Sequence, residues 1–281
     1  MIKTWTRDDL PVLGAAGVSE SISICLPARN EEKTVGQIVE SLSTFAKGFS
    51  SCEVVVIDDR SSDNTAAVAE CAGAKVYSST ELMPEFGEVL GKGDVMWRAL
   101  SVITGELVCF LDADVENFDT YFVSGLIGPL LTDPQIQLVK ANYSRPLVRA
   151  STTFDNEGGR VNALMARPLL KRFFPELSAI EQPLAGEVAL RTEHANRLSF
   201  QAGYGIEIGM LIDTFLQHGA AAIGQSDLGL RVHRNRPLLE LERISEQVLA
   251  AVLQRAGVSE PALDRSASMP LRSARVELVA S

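Results

Sequence analysis

Short, continuously apolar runs alternate with segments of helical periodicity through the first half of the chain. The runs at 54–57 and 107–111 carry no polar residue at alternate positions. A strand with one solvent-exposed face would alternate apolar and polar residues. These strands are therefore expected to be buried on both faces. Such strands, joined by helical crossovers, predict a doubly wound α/β domain with a mostly parallel central sheet.

The predicted elements follow from the same periodicities. The pattern predicts strands at 21–27, 53–58, 74–78 and 106–112, with helices at 31–46, 61–73 and 92–103. Residues 144–190 show a looser pattern, in which arginines and a lysine stand among glycines and prolines. The second half then contains a glycine-opened helix, a strand-like segment and a long amphipathic helix, at 200–219, 221–235 and 237–254.

Composition limits the function classes. The chain has 281 residues, 46% of them apolar, and a formal net charge of -10. This charge argues against non-specific binding of nucleic acid, which uses Lys and Arg against phosphate. No apolar stretch approaches the roughly 20 residues of a membrane span. We expect free thiols in a reducing, cytoplasmic location for the scattered cysteines, Cys25, Cys52, Cys71 and Cys109.

Two aspartates, Asp112 and Asp114, follow the apolar run at 107–111. They lie either in a solvated turn or around a cation, because neighbouring carboxylates repel one another and are costly to bury. The preceding buried strand favours the second interpretation, with Mg²⁺ or Mn²⁺ bridging carboxylate and phosphate oxygens. His233, far away in the sequence, is either a structural histidine or a further ligand of that ion.

Three more polar segments fall at strand ends or at a helix start. In the segment 27–36, Asn30 and Glu31 either cap a helix or line a nucleotide or sugar pocket. Asp59 follows the strand at 53–58, where a carboxylate can accept a hydrogen bond from a base or a ribose. Lys92, between two glycines, is either solvated or placed for phosphate. The glycine-rich motifs of dinucleotide oxidoreductases and P-loop NTPases are missing from the sequence.

A local basic site is predicted in the second half. Two glycines, Gly158 and Gly159, precede Arg160, and Asn162 follows. Glycines allow the backbone to approach an anion closely, and a guanidinium can bind it through two parallel hydrogen bonds. The segment is therefore either an anion site or a flexible surface loop.

Together these motifs resemble the retaining glucosyl-3-phosphoglycerate synthases, which are nucleotide-sugar glycosyltransferases with a single Rossmann-like GT-A domain. The resemblance covers residues 3 to 255. It rests on TWT (4–6), LPARNEEKTVG (26–36), GKGDVMWRAL (91–100), FLDADVENF (110–118), GGRV (158–161), QPLAGE (182–187), YGIEIG (204–209) and RVHRNR (231–236).

The pattern along the chain predicts four segments, and the resemblance implies a set of donor contacts. Residues 1–20 would be an N-terminal lead-in, 21–143 the nucleotide-sugar-binding half, 144–255 the acceptor-binding half with the C-terminal helix, and 256–281 a flexible tail. The donor-binding residues would be Pro27, Ala28, Asn30, Glu31, Asp59, Lys92, Asp112, Ala113, Ala185, Gly186 and Tyr204. Lys92 would lie near the base and Asp112 near the ribose.

The resemblance also implies the catalytic groups. Asp114 and His233 would hold Mg²⁺ or Mn²⁺ with the diphosphate oxygens, and Arg231 would neutralise the leaving diphosphate. Leu184 would line the sugar pocket through its backbone, and Glu207 would hydrogen-bond sugar hydroxyls. The acceptor, 3-phosphoglycerate, would be held by Gly159, Arg160, Asn162 and Asn235.

Three positions depart from the family pattern. Arg29 and Asp59 replace an apolar and a hydroxyl residue, and Asn162 replaces a threonine. Asp59 bears on the choice of nucleotide and Asn162 on the choice of acceptor.

The implied reaction is transfer of glucose from a nucleoside diphosphate, with UDP-glucose favoured, to the 2-hydroxyl of D-3-phosphoglycerate with retention of configuration. Three alternatives stay open: a mannosyl-3-phosphoglycerate synthase using GDP-mannose, an inverting transferase acting on a lipid phosphate or polysaccharide, and a non-catalytic nucleotide-sugar binding protein. We expect the helix at 237–254 to pack on the domain and to contribute to a homodimer.

Overall fold

The computed structural model describes residues 1–10, 18–144, 147–149, 152–154, 159–232, 238–258 and 269–279. The strands of this part of the chain are β1 Lys3–Trp5, β2 Ile22–Ala28, β3 Cys52–Asp58, β4 Lys75–Ser78, β5 Leu107–Phe110, β6 Leu138–Ser144, β7 Leu147–Arg149, β8 Thr152–Phe154, β9 Val188–Arg191, β10 Phe200–Gln201, β11 Ile223–Leu230 and β12 Leu271–Arg272. Eight of them form the central sheet, in the order β1-β11-β6-β9-β5-β2-β3-β4.

The helices cover both faces of that sheet. They are α1 Val35–Ala46, α2 Thr65–Cys71, α3 Lys92–Ala99, α4 Tyr121–Thr132, α5 Arg167–Phe173, α6 Thr192–Arg197, α7 Ile206–His218, α8 Leu238–Arg255 and α9 Arg275–Val279. None of these helices has the length and apolar character needed to cross a membrane.

Successive residues of the continuous apolar runs point into two separate cores. Val54 and Val56 of β3 pack with α1 on one face, while Val55 and Ile57 pack with α3 on the other. A strand buried on both faces has no solvent-facing position for a polar residue, which is why the runs do not alternate. The predicted α/β fold with a mostly parallel sheet is confirmed.

One central strand runs against the others. Strand β9 lies between β5 and β6 and pairs antiparallel with both. The sequence analysis predicted no strand there, because a four-residue strand is too short to show a period. Its insertion makes the chain after residue 143 part of the same sheet as the first half, and places residues 182–187 beside the end of β5.

The N-terminal segment is more ordered than a polar lead-in. Strand β1 pairs in parallel with β11, with Trp5 opposite Ser226. The Trp5 ring lies so close to Gly224 that a Cβ there would be 2.5 Å from it. Within the expected lead-in over residues 1–20, residues 3–5 therefore form an edge strand of the main sheet.

The described part of the C-terminal tail also packs on the domain. Strand β12 pairs with β10, and the Trp97 indole donates a hydrogen bond of 3.0 Å to the Ser273 carbonyl. Arg272 binds both carboxylate oxygens of the buried Asp94, at 2.8 and 3.0 Å. Within the expected tail over 256–281, residues 269–279 therefore pack on the domain. Arg272 adds a second positive charge beside Asp94, whose Oδ2 atom also lies 3.4 Å from the buried Arg98 Nε atom.

Candidate active site

The polar segments that follow β2, β3 and β5 meet at the carboxyl edge of the sheet. Helices α1 and α2 begin four residues later than predicted, because the residues before them form turns that bond to each other. The Asn30 side-chain carbonyl accepts a hydrogen bond from the Ser62 amide at 2.8 Å, and the Glu31 amide donates to the Thr65 hydroxyl at 2.8 Å. The Thr34 hydroxyl donates to the Ala113 carbonyl at 2.6 Å, which joins this layer to the turn after β5.

A groove of about 880 Å³ runs along this edge. The predicted donor residues that line it are Pro27, Ala28, Asn30, Glu31, Asp59, Lys92, Asp112, Ala113 and Tyr204. The Asp114 carboxylate lies in the same groove. The lining also includes Met269 of the C-terminal segment, a residue that the sequence analysis did not single out.

A smaller cavity of about 150 Å³ adjoins the groove. Predicted residues from both halves of the chain line it: Lys92, Asp112, Asp114, Gly159, Arg160, Asn162, Leu184, Gly186, Tyr204, Glu207 and Arg231. Ala185 is fully buried behind its wall. His233 and Asn235 lie outside the described residues.

Lys92 joins two carboxylates across the cavity. Its ammonium lies 2.6 Å from Asp112 Oδ1 and 2.9 Å from Glu207 Oε1. Burial of the ammonium opposes its charge, but the two carboxylates outweigh burial and raise the pKa of Lys92. The side chain is therefore a permanently charged group at the junction of the groove and the cavity.

The Arg231 guanidinium contacts three carboxylates and compensates their negative charge. Its Nη2 atom lies 2.8 Å from Asp112 Oδ2 and 3.0 Å from Asp114 Oδ1. Its Nε atom lies 2.6 Å from Glu187 Oε1, as an ion pair whose angles are not those of a hydrogen bond. Burial disfavours the charge of the guanidinium, but Glu187 and the two aspartates outweigh burial and raise the pKa of Arg231.

Glu187 was missed by the sequence analysis as a site residue. It is fully buried, and the Tyr143 hydroxyl donates to its Oε2 atom at 2.7 Å. Its place directly before β9 was the available signal, since an acidic residue beside an apolar strand needs a cationic partner. The tertiary structure supplies that partner as Arg231.

The donor set at Asp112 and Asp114 fits a divalent cation. Burial, and after it the neighbouring Asp112 charge, raise the pKa of Asp114, although Arg231 and Lys92 act in the opposite direction. Among the residues that the structure describes, no three His, Cys, Asp or Glu side chains are grouped to hold a metal by themselves. An ion bound here would take further oxygen ligands from phosphate, as Mg²⁺ commonly does.

The loop 182–186 forms one wall of the cavity. A Cβ on Gly186 would lie 2.3 to 2.5 Å from the Asp112 carboxylate atoms, so only glycine fits beside this aspartate. The Leu184 amide donates to the Asn162 side chain at 2.9 Å, and the Lys140 ammonium donates to the Ala185 carbonyl. Lys140 was not predicted from the sequence, because it stands within a strand.

Two of the departures from the family pattern contact each other. Asp59 Oδ2 lies 3.8 Å from Arg29 Nη1, and its Oδ1 atom lies 2.9 Å from Arg60 Nε. All three residues line the large groove. Arg29 therefore compensates the charge that Asp59 introduces at that end of the groove.

We expect the buried charge of Lys140 to make folding stability depend on pH. Burial lowers the pKa of Lys140 from 10.5 to about 8, although Glu207 and other carboxylates oppose this effect. Between these two values the unfolded chain binds more protons than the folded one, so the contribution of Lys140 to stability rises with pH.

The variant Lys140→Met isolates this effect from other groups whose proton binding differs between the folded and the unfolded chain, such as the Cys25 and Cys52 thiols, whose pKa is raised by burial. The free energy of unfolding of wild type should rise relative to the variant by about 1 kcal/mol between about pH 7 and about pH 9. Urea unfolding of both proteins at each pH measures the difference. A constant difference would mean that Lys140 keeps its proton throughout.

Comparisons with known proteins identify the family of this chain. Residues 23–173 match the model of the family described as glycosyl transferase family 2. The glucosyl-3-phosphoglycerate synthase of Mycolicibacterium smegmatis is 45% identical over 257 residues, which are 92% of this chain and 84% of that protein.

Two solved structures of the Mycobacterium tuberculosis glucosyl-3-phosphoglycerate synthase are similar to the whole fold. The complex with Mn²⁺, UDP-glucose and phosphoglyceric acid has a TM-score of 0.87 at 39% identity, covering 99% of both chains. The complex with Mg²⁺ and UDP has a TM-score of 0.83 at 42% identity, covering 92% of this chain and 88% of that one. The chain therefore belongs to glycosyl transferase family 2 and, within it, to the family of the glucosyl-3-phosphoglycerate synthases.

Proposed function

We propose that the protein is a metal-dependent, retaining glycosyltransferase that moves glucose from UDP-glucose to the 2-hydroxyl of D-3-phosphoglycerate. The observation that carries the proposal is the junction at Asp112 and Lys92, where the groove that contains the Asp114 carboxylate meets a cavity bordered by Gly159 and Arg160. The solved relatives with UDP-glucose, phosphoglyceric acid and glucosyl-3-phosphoglycerate support both substrates and the product.

In the proposed reaction the bond between the anomeric carbon and the diphosphate oxygen breaks, and a bond from that carbon to the acceptor oxygen forms on the same face. The leaving diphosphate accepts the hydroxyl proton, which fits the sequence inference that no side chain is a covalent nucleophile poised beside a base. A divalent ion at Asp114 would stabilise charge on the diphosphate. Arg231 stabilises the same developing charge from the protein side.

The two cavities divide the substrates between them. The groove would hold the nucleotide, with Asn30, Glu31 and Asp59 at its far end. Glu207, paired with Lys92, would hydrogen-bond the sugar hydroxyls, and the backbone of the loop 182–186 would border the sugar ring. His233 and Asn235 keep their predicted roles as a metal ligand and an acceptor ligand.

A donor–acceptor matrix tests the proposal. UDP-, ADP- and GDP-glucose and GDP-mannose would each be paired with 3-phosphoglycerate, glycerate and glycerol 3-phosphate, with Mg²⁺ or Mn²⁺, and products identified by mass spectrometry. We expect glucosyl-3-phosphoglycerate from UDP-glucose and 3-phosphoglycerate. Donor turnover without product from any phosphoglycerate pairing would overturn the proposed acceptor.

Replacing Arg160 by alanine should raise the KM for 3-phosphoglycerate by about 30- to 150-fold, because a charge-assisted hydrogen bond of roughly 2–3 kcal/mol is lost. The KM for UDP-glucose should change little, since Arg160 lines the small cavity and the donor groove lies beyond it. Arg197→Ala is the matched control, because Arg197 pairs with Glu193 on α6 and lines neither the groove nor the cavity. Steady-state kinetics of both variants measure the two KM values. Equal effects of Arg160→Ala on the KM values for donor and acceptor would contradict the assignment of Arg160 to the acceptor.

We also propose that the protein is cytoplasmic and forms a homodimer. The four cysteines are free thiols in the structure, as expected of a reducing compartment. Leu238 and Leu239 at the start of α8 are 72% and 80% exposed, while Val248 and Val252 of the same helix pack into the core. Light scattering coupled to size-exclusion chromatography measures the assembly, and a monomer would contradict the second proposal.

A further inference from the structure

The loop 182–186 is held by side chains from two separate parts of the fold. Leu184 and Gly186 line the small cavity, and Ala185 between them is buried. The loop has no regular secondary structure of its own beyond one turn, in which the Ala185 amide donates to the Gln182 carbonyl at 3.0 Å. Its conformation must therefore be set by contacts from outside.

Asn162 holds the first half of the loop. Its Oδ1 atom accepts the hydrogen bond from the Leu184 amide at 2.9 Å, and its Nδ2 atom donates to Gln182 Oε1 at 2.6 Å. The Gln182 side chain continues the chain of hydrogen bonds by donating to the Tyr143 carbonyl at 3.2 Å. Asn162 is only 4% exposed, so these bonds are shielded from competing water.

Lys140 holds the peptide group between Ala185 and Gly186. It lies on β6, is fully buried, and donates from its ammonium to the Ala185 carbonyl. Asn162 and Lys140 thus bind the amide of Leu184 and the carbonyl of Ala185, on either side of the peptide bond that joins these residues. The peptide between Leu184 and Ala185 is planar and trans, so its carbonyl and its amide point in opposite directions. Because the Ala185 amide points at the Gln182 carbonyl, the Leu184 carbonyl points away from it.

We propose that Asn162 and Lys140 are positioning residues that hold the Leu184–Ala185 peptide in the orientation required for glucosyl transfer. The proposal rests on the proposed function, because the peptide borders the position assigned to the sugar. It assigns Asn162 a different role from the acceptor contact that the resemblance implies. The Asn162 side chain uses its carbonyl and one of its amide hydrogens in hydrogen bonds to the loop. Asn162 therefore acts on the reaction through Leu184.

The two roles differ in kinetics. A residue that grips the acceptor contributes to KM, whereas one that orders the reacting geometry contributes to kcat. A displacement of about 1 Å at a reacting site costs up to about a hundredfold in rate. We therefore expect Asn162→Leu and Lys140→Met each to lower kcat by about tenfold or more, with the KM for 3-phosphoglycerate within about twofold of wild type.

The experiment measures kcat and both KM values for these variants, with Arg160→Ala as the acceptor-binding comparator. Lys75→Met is the lysine control, because Lys75 lies on β4, pairs with Glu53 of β3 and lines neither cavity. Urea unfolding of each variant reports whether it folds. The loop contacts of Asn162 and Lys140 come from different elements, so Lys140→Met tests the proposal even where Asn162→Leu does not fold.

A higher acceptor KM at unchanged kcat in Asn162→Leu would place Asn162 on the acceptor and overturn its positioning role. A folded Lys140→Met with wild-type kcat would overturn the role of Lys140. Failure of the proposed function gives a different result, because wild type itself would then make no glucosyl-3-phosphoglycerate. Lower kcat in both variants at normal acceptor KM, with an active wild type and an unaffected Lys75→Met, supports the proposal.

Discussion

Replacing Asp114 by alanine is expected to lower kcat for glucosyl transfer by about 10³-fold or more, since the divalent ion contributes several kcal/mol of charge stabilisation. The Asp114 carboxylate lies at the junction of both cavities, and its pKa is raised by burial and by Asp112. Removing it leaves Asp112 as the nearest remaining carboxylate ligand in the described structure. Kinetics at saturating Mg²⁺ or Mn²⁺ measure the loss.

A second measurement tests whether Asp114 is a metal ligand, independently of turnover. Electron paramagnetic resonance can measure the affinity for Mn²⁺ in the presence of UDP. This affinity should be lower in Asp114→Ala than in wild type. It should not change in Asp8→Ala, which removes an exposed carboxylate from the N-terminal segment. Wild-type activity that survives complete removal of metal by a chelator would contradict the role given to Asp114.

Replacing Arg231 by methionine should damage both folding and catalysis. The substitution leaves the fully buried Glu187 without its cationic partner, and breaking a buried pair in this way costs about 3–5 kcal/mol of unfolding free energy. It also removes a cation beside Asp112 and Asp114, where charge on the leaving diphosphate would develop. Loss of one such group lowers kcat by about 10²- to 10³-fold.

The double variant Arg231→Met, Glu187→Gln separates the two effects. A neutral glutamine removes the orphaned charge and can still accept the hydrogen bond from the Tyr143 hydroxyl. Urea unfolding should therefore show recovered stability, while steady-state kinetics should show that kcat stays low. Recovery of activity together with stability would mean that Arg231 acts only through the fold.

The sequence alone allowed much of the donor site to be predicted. Asp112 and Asp114 end an apolar strand, and Asn30 and Asp59 follow neighbouring strands, so parallel-sheet geometry places them at one edge. Their presence in one groove confirms that inference of position. Their roles toward the nucleotide and the metal stay predictions until kinetics and binding test them.

The cavity wall could not be predicted in the same way. Lys140 stands within a strand and Glu187 directly before one, and the sequence does not show which distant group compensates either charge. The partners of both depend on β9 entering the sheet between β5 and β6. Strand pairing over such a sequence distance leaves no local periodicity in a four-residue strand.

The amino-acid sequence by itself determined the α/β class and the polar edge of the sheet, because hydrophobic periodicity and strand-end chemistry are local properties. Its motifs, from TWT (4–6) to RVHRNR (231–236), carried the resemblance to the family. The tertiary structure decided which charges compensate one another: Arg231 with Glu187, Lys92 with Glu207, and Arg272 with Asp94. Each of these pairs joins segments that lie far apart in the chain. Their association depends on burial, because a charge that is removed from water is unstable unless an opposite charge or a hydrogen bond compensates it.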